Sequence, residues 1–260
     1  MAPAHVFHWN VDPVLVQFGP LAIRWYGLFF AAAFLVGFRI MQWICRRERK
    51  ETQFLDSLLL YMLVGALVGA RLGHVLFYDP QYYFAHPIDI LKIWEGGLAS
   101  HGGTVGILVV FYLYTRRTGG PRYLWLLDRV AIPTALGGFF IRLGNFFNSE
   151  IVGTPTSGWW GVVFDRVDQV PRYPVQLFEA VAYLLIFFLL LWVYTRRQEE
   201  TREGWLIGLF LVLVFSARFL LEFIKTPQAE YEAGFVLTVG QMLSVPFIIA
   251  GVVLILRARK

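Results

Sequence analysis

The residues best suited to chemistry in this chain are arginines that fall inside apolar stretches. Arg71, Arg142 and Arg218 each lie near one end of such a stretch, and each has polar company close by. Asn145, Asn148 and Glu150 follow Arg142, and Glu222 follows Arg218 by four residues. A guanidinium is a planar fork of donors that matches phosphate oxygens. A charge inside hydrocarbon costs roughly 2.5–3.5 kcal/mol on insertion scales, so it marks a polar cavity or a pathway. His101 stands between Ser100 and Gly102-Gly103; imidazole titrates near neutrality, and the glycines allow close backbone approach. These groups point to anion binding combined with proton transfer.

Other chemistries find less support. His5, His8, His74 and His86 lack the spacing of a metal site, no serine occupies a nucleophile elbow, and no phosphate-cradling loop is present. Neither a metal nor a cofactor is expected. The single cysteine, Cys45, permits no internal disulfide and reads as a small apolar residue near a helix end.

The elements that must carry these residues are membrane helices. The chain has 260 residues, of which 57% are hydrophobic and 16% charged. Spans of about 20 apolar residues are expected at Leu21–Cys45, Phe54–Tyr78, His101–Thr115, Asp128–Phe147, Pro174–Thr195, Gly204–Ile224 and Phe235–Leu256, the third being short. This predicts an all-α, polytopic protein of seven transmembrane helices in one domain, residues 1–260. Met1–Pro20 lacks the pattern of a cleavable signal, so the first span is expected to persist.

The net charge of +5 is distributed with a period. Basic clusters follow the first span (Arg46, Arg47, Arg49, Lys50), the third (Arg116, Arg117, Arg122), the fifth (Arg196, Arg197, Arg202) and the seventh (Arg257, Arg259, Lys260). The positive-inside rule then sets the N-terminus outside and the C-terminus inside. Topology accounts for these clusters, so nucleic acid is not expected as a partner.

With that topology, Arg24, Tyr26, His101, Arg142, Asn145, Asn148, Glu150, Arg218 and Glu222 all reach the outer boundary, which predicts one outward-facing polar cavity. Arg218 and Glu222 share a helix face and are placed to pair, whether as a structural lock or as part of a site. Snorkelling accounts for Arg24 and Arg39. Gly65, Gly69 and Gly73 line one face of the second span and read as a packing stripe. An organic-anion transporter and a structural scaffold stand as rival readings. The former would show inverted repeats and midplane charge; the latter would tolerate exchange of His101 and Arg142.

Taken in order, several motifs resemble the bacterial prolipoprotein diacylglyceryl transferases. They are Trp25-Tyr26-Gly27-Leu28, Gly69-Ala70-Arg71-Leu72-Gly73, Trp94-Glu95-Gly96-Gly97 leading to His101-Gly102-Gly103, and Arg142-Leu143-Gly144-Asn145-Phe146. Asn148-Ser149-Glu150 with Gly153, Gln176-Leu177-Phe178-Glu179, Arg218 with Glu222-Phe223, and Gly240-Gln241 with Ser244 complete the set.

The resemblance implies an inner-membrane enzyme with its site towards the periplasmic face. It implies transfer of the diacylglyceryl group of phosphatidylglycerol to the lipobox cysteine of a preprolipoprotein, giving a thioether and glycerol phosphate. The nucleophile then belongs to the substrate. By resemblance, Arg142 and Arg218 hold the headgroup; Asn145, Asn148, Glu150, Gly153, Glu222 and Arg71 help bind it; Tyr26 donates a hydrogen bond. His101 is the candidate base for a thiol whose ordinary pKa is near 8.5. The chain departs from the family's habits at Val214, Tyr173, Val175, Phe178, Lys225 and Gln228, which bears on fine positioning of substrate. A monomer is expected.

Overall fold

A computed structural model describes residues 7–19, 21–117, 120–197, 202–226 and 237–258. Helices dominate: α1 Trp25–Arg47, α2 Phe54–Phe77, α3 Pro80–Ala85, α4 Ser100–Arg117, α5 Tyr123–Phe147, α6 Val175–Arg197, α7 Trp205–Leu221 and α8 Val239–Arg257. Six of them, with α7 extended by a 3-10 turn to Ile224, are long and apolar enough to cross a membrane. The chain is thus a mostly helical, polytopic membrane protein. The segment expected as the third span forms helix α4, whose 18 residues begin with Ser100, His101, Gly102, Gly103 and Thr104. Its polar first turn and the terminal Arg116 and Arg117 keep it out of those six. The expected start of the last span, Phe235, lies outside the described residues, as does Gln228.

The all-α expectation needs one correction. Five short strands are present: β1 Phe7–Trp9, β2 Val14–Phe18, β3 Leu21–Arg24, β4 Val162–Phe164 and β5 Pro171–Arg172. β2 and β3 form an antiparallel hairpin, with Gly19 at φ +58 in its turn. Residues 21–24, expected as helix, are therefore strand. Four residues that alternate across a hairpin satisfy their backbone groups there, and α1 begins only at Trp25. β1 pairs parallel with β4, and β4 pairs antiparallel with β5.

By compactness the chain divides into two units, residues 1–40 with 127–260 and residues 41–126. The second is organised by α2 against α4. A Cβ on Gly69 would strike the Gly102 carbonyl oxygen, and one on Gly73 would stand 2.8 Å from Gly102 Cα. One on Gly65 would stand 3.0 Å from the Gly106 carbonyl oxygen. Contacts that descend α2 while ascending α4 make the pair antiparallel. The expected packing stripe is therefore a backbone-to-backbone contact, the form helix association takes where lipid removes the hydrophobic driving force.

In the first unit, α7 and α8 meet in the same manner at Gly208 and Gly251, each Cβ position lying within 2.8 Å of the other residue's carbonyl oxygen. The start of α7 is capped from another helix. Gly204 takes φ +96 and supplies no side chain, so Asp128 of α5, 1% exposed, accepts from Gly204 N–H at 2.7 Å and Ile207 N–H at 2.8 Å. Two otherwise orphaned donors are satisfied by one carboxylate.

Gly69→Leu is expected to separate α2 from α4, because neither backbone can retreat. Overpacking of this kind costs at least ~1–3 kcal/mol. Thermal unfolding in detergent should show a lowered midpoint, while the same change at Gly27, which has open space around it, should not.

Candidate active site

Arg142 lies five residues before the end of α5, and the residues after it fold back to meet it. Its Nη1 donates to Asn145 Oδ1 at 3.1 Å, and Asn145 Nδ2 donates to Glu150 Oε1 at 2.8 Å. Asn148 Nδ2 donates to the same oxygen at 3.3 Å. An amide that accepts on one side and donates on the other joins cation to carboxylate through a fixed orientation.

The fold-back has a local cause. Glu150 N–H bonds Asn145 C=O and Ser149 N–H bonds Phe146 C=O, both at 3.0 Å. This double closure is the Schellman ending of a helix. It requires a left-handed residue, here Ser149 at φ 55 rather than glycine, and Ile151 follows at φ 60. Two non-glycine residues held there cost of order 1–3 kcal/mol each. The compensating restraints are on the page: Gln176 Nε2 donates to Glu150 C=O at 2.7 Å, and Trp9 Nε1 donates to Phe146 C=O at 3.1 Å. Phe146, Val162 and Phe164 form a buried cluster with Trp9, Phe147, Val152 and Leu177 against it. The β1–β4 sheet thereby braces the end of α5.

On its other side Arg142 meets α6. Glu179 Oε2 lies 2.8 Å from Arg142 Nε, the carboxylate side chain being 1% exposed and the arginine 11%. Tyr183, one turn further along α6, is buried within electrostatic range of both Arg142 and Arg218. Arg218 itself makes neither an ion pair nor a side-chain hydrogen bond among the described residues. Tyr26, at the start of α1, packs its ring on Gly144, where a Cβ would stand 2.7 Å from the ring edge. Its hydroxyl feels both Glu150 and Arg142.

Lys225 completes the charged group, with Nζ 3.3 Å from Glu222 Oε2 and 3.9 Å from Glu179 Oε1. The cluster thus holds three cations and three carboxylates, and one cation is uncommitted.

These positions share one end of their helices: the starts of α1, α6 and α8 and the ends of α5 and α7. A buried arginine held by Glu179 and Asn145, with a second that makes no side-chain hydrogen bond among the described residues, offers planar donors of the kind that suit a tetrahedral anion. Removing water from such a site strengthens every electrostatic contact within it.

Comparison with known proteins agrees with this chemistry. Residues 13–257 match the family model described as prolipoprotein diacylglyceryl transferase. A relative from Tolumonas auensis, named phosphatidylglycerol–prolipoprotein diacylglyceryl transferase, is 58% identical over 97% of this chain and 97% of its own length. Relatives of the same name from Chloroherpeton thalassium and Porphyromonas gingivalis are 49% and 45% identical, each over 97% of this chain and 94% of the relative. The chain belongs to the prolipoprotein diacylglyceryl transferase family.

Within this family member the sequence-derived site residues divide. Arg142, Asn145, Asn148, Glu150 and Tyr26 are brought together, with Arg218 near them through Tyr183. His101 is exposed in the first turn of α4 and belongs to the other compact unit. Three expectations change in detail. Glu222 pairs with Lys225 instead of Arg218, because α7 ends at Leu221 and the 3-10 turn Glu222–Ile224 repeats every three residues rather than every 3.6. Gly240 brings the start of α8 onto the same Glu222 carboxylate, where a Cβ would collide with it.

Gly153 is tied into the packing of its loop. Its N–H bonds Tyr173 C=O at 3.0 Å, its C=O accepts from Thr226 Oγ1 at 2.9 Å and Arg172 Nη1 at 3.1 Å, and a Cβ would strike Tyr173. Arg172 is itself fixed by Asp168, whose carboxyl it holds below the usual carboxylate range. Arg71 donates all five of its N–H groups to backbone carbonyls (Asp89, Ile90, Lys92, Gly96, Gly97), so no donor remains for a ligand.

Glu179, Tyr183 and Lys225 carry the site yet received no role from the sequence. The available signal was a carboxylate at Glu179, with Gln176 and Tyr183 on the same face, in an otherwise apolar helix.

Asn145→Leu should sever the Arg142–Glu150 connection and leave both groups short of a buried partner. A loss of about 1–3 kcal/mol follows from that kind of change, so catalytic efficiency should fall roughly tenfold to a hundredfold while helix content by circular dichroism stays constant.

Proposed function

We propose that this protein transfers the diacylglyceryl group of phosphatidylglycerol to the lipobox cysteine thiol of a preprolipoprotein, the first step of bacterial lipoprotein maturation. The full-length relatives named for this transfer support the reading. The observation that carries it is a buried Arg142 held by Glu179 and Asn145, together with an Arg218 that makes no ion pair or side-chain hydrogen bond among the described residues and lies in electrostatic range of the neighbouring Tyr183.

The reaction breaks the bond between the diacylglyceryl carbon and a phosphate oxygen and forms a carbon–sulfur bond. The phosphate leaves with the electron pair as glycerol phosphate, and the thiol proton passes to a base. Arg142 and Arg218 hold the phosphate and stabilise the charge that accumulates on it. Glu179 and Asn145 keep the Arg142 fork from following the leaving group. Tyr26 donates a hydrogen bond at the reacting centre, and Asn148 and Glu150 orient the polar face. His101 takes the thiol proton. Because the substrate supplies the sulfur, no enzyme nucleophile is required, and neither metal nor cofactor enters the scheme.

In the same reading α4 is the seventh span, and the two compact units act as one transferase domain. The basic ends of α1, α4, α6 and α8 face the cytoplasm, the N-terminus is outside and the C-terminus inside. The site opens to the periplasmic side of the inner membrane, and the working form is a monomer.

Purified protein mixed with phosphatidylglycerol and a lipobox peptide should release glycerol phosphate and lipidate the peptide. Arg142→Ala and Arg218→Ala should each lower the rate by about 10²–10³, the usual loss when a donor aimed at developing charge is removed. His101→Asn should abolish most of the rate. Full activity in either arginine variant defeats the headgroup role, and full activity in His101→Asn removes the imidazole from the mechanism.

A further inference from the structure

We propose that Arg71 is a positioning residue for His101, acting through the polypeptide segment that joins α3 to α4; the functional half of this inference rests on the role given to His101 above. Arg71 lies six residues before the end of α2 and is 5% exposed. Its Nε donates to Ile90 C=O at 2.8 Å, Nη1 to Gly96 C=O at 2.7 Å and Gly97 C=O at 3.1 Å, and Nη2 to Asp89 C=O at 2.5 Å and Lys92 C=O at 3.3 Å. Tyr83 supplies a ring face 5.0 Å from the guanidinium carbon.

The acceptors are not scattered. Residues 87–91 and 93–95 form two successive 3-10 turns, and Arg71 gathers carbonyls from where each turn ends. Short helical turns leave their last carbonyls without internal partners and direct a negative partial charge outward. A planar five-donor fork is the one side chain able to collect them together.

From this clasp the chain runs directly to the proposed base. Gly97 is held four residues before His101, and its φ of +71 places its Cα against the clasp, so a Cβ there would stand 2.6 Å from Arg71 Nη1 and 2.7 Å from the His74 ring. Ala99 N–H then bonds Ala70 C=O at 2.9 Å, and Gly102 seats against Gly73. These contacts tie the first turn of α4 to the α2 segment centred on Arg71. A displacement of about 1 Å in a reacting group can cost as much as a hundredfold in rate. A residue acting this way alters turnover and leaves lipid affinity alone.

The test uses the full-length protein in detergent and follows two readouts. The first is the rate at which trypsin cuts after Lys92, inside the clasped segment, identified by mass spectrometry. The second is the split between kcat and KM for phosphatidylglycerol. Arg71→Lys keeps the charge but cannot present five planar donors. It should raise the cleavage rate about tenfold or more, lower kcat about tenfold or more, and leave KM within about twofold. Gly97→Ala, which disturbs the clasp from the other side, should reproduce both effects, and it stands in for Arg71→Lys if that variant does not fold.

Cleavage after Lys92 unchanged in both variants overturns the clasp. A raised KM with kcat intact overturns positioning in favour of direct lipid contact by Arg71. Opened cleavage with unchanged kcat overturns the link to His101 whatever the outcome for His101→Asn, whereas loss of the base assignment itself is read separately from that variant.

Discussion

The structure depends on keeping one guanidinium charged where little water can reach it. Arg142 is nearly enclosed, and an isolated cation in such surroundings would cost several kcal/mol. Glu179 neutralises it at 2.8 Å, while Asn145 takes up a further donor. The remaining carboxylates are managed in the same way: Glu150 by two asparagine amides, and Glu222 by Lys225 and the start of α8. Such networks are unfavourable when half satisfied, which ties the placement of five helix ends to one set of contacts.

Small strands and strained turns serve that same constraint. The Schellman ending of α5 carries Glu150 back over Asn145, at the cost of left-handed Ser149 and Ile151. Those conformations persist because Trp9, Phe146, Phe164 and Gln176 hold the turn from several directions. Sheet, cap and ion pair are three scales of one arrangement.

The sequence made part of this legible. Arg142, Asn145 and Glu150 are close along the chain, so their association follows from helix geometry and a single turn. The glycine stripe on α2 was readable as packing for the same reason, its period being that of the helix. Contacts between distant segments were less accessible. Glu179 is one carboxylate in a long apolar run, and nothing local says that its partner lies on α5. Lys225 looked like a departure from a pattern, whereas in three dimensions it is the counter-ion of Glu222. The strand at residues 21–24 was hidden because an apolar stretch of that length reads equally as the start of a spanning helix. Arg71 was visible as a charge in an apolar helix, but not its acceptors, since backbone carbonyls leave no signature in side-chain spelling.

The backbone contact between α2 and α4 bears on how the protein is made. α4 carries too little hydrophobicity to partition into lipid on its own merits, and α2, synthesised first, offers the glycine-lined groove that fits it. The placement of α4 thus leans on a partner helix that precedes it in the chain rather than on its own hydropathy. A bulkier residue in that groove unseats α4 first, before any question of enzymatic competence arises.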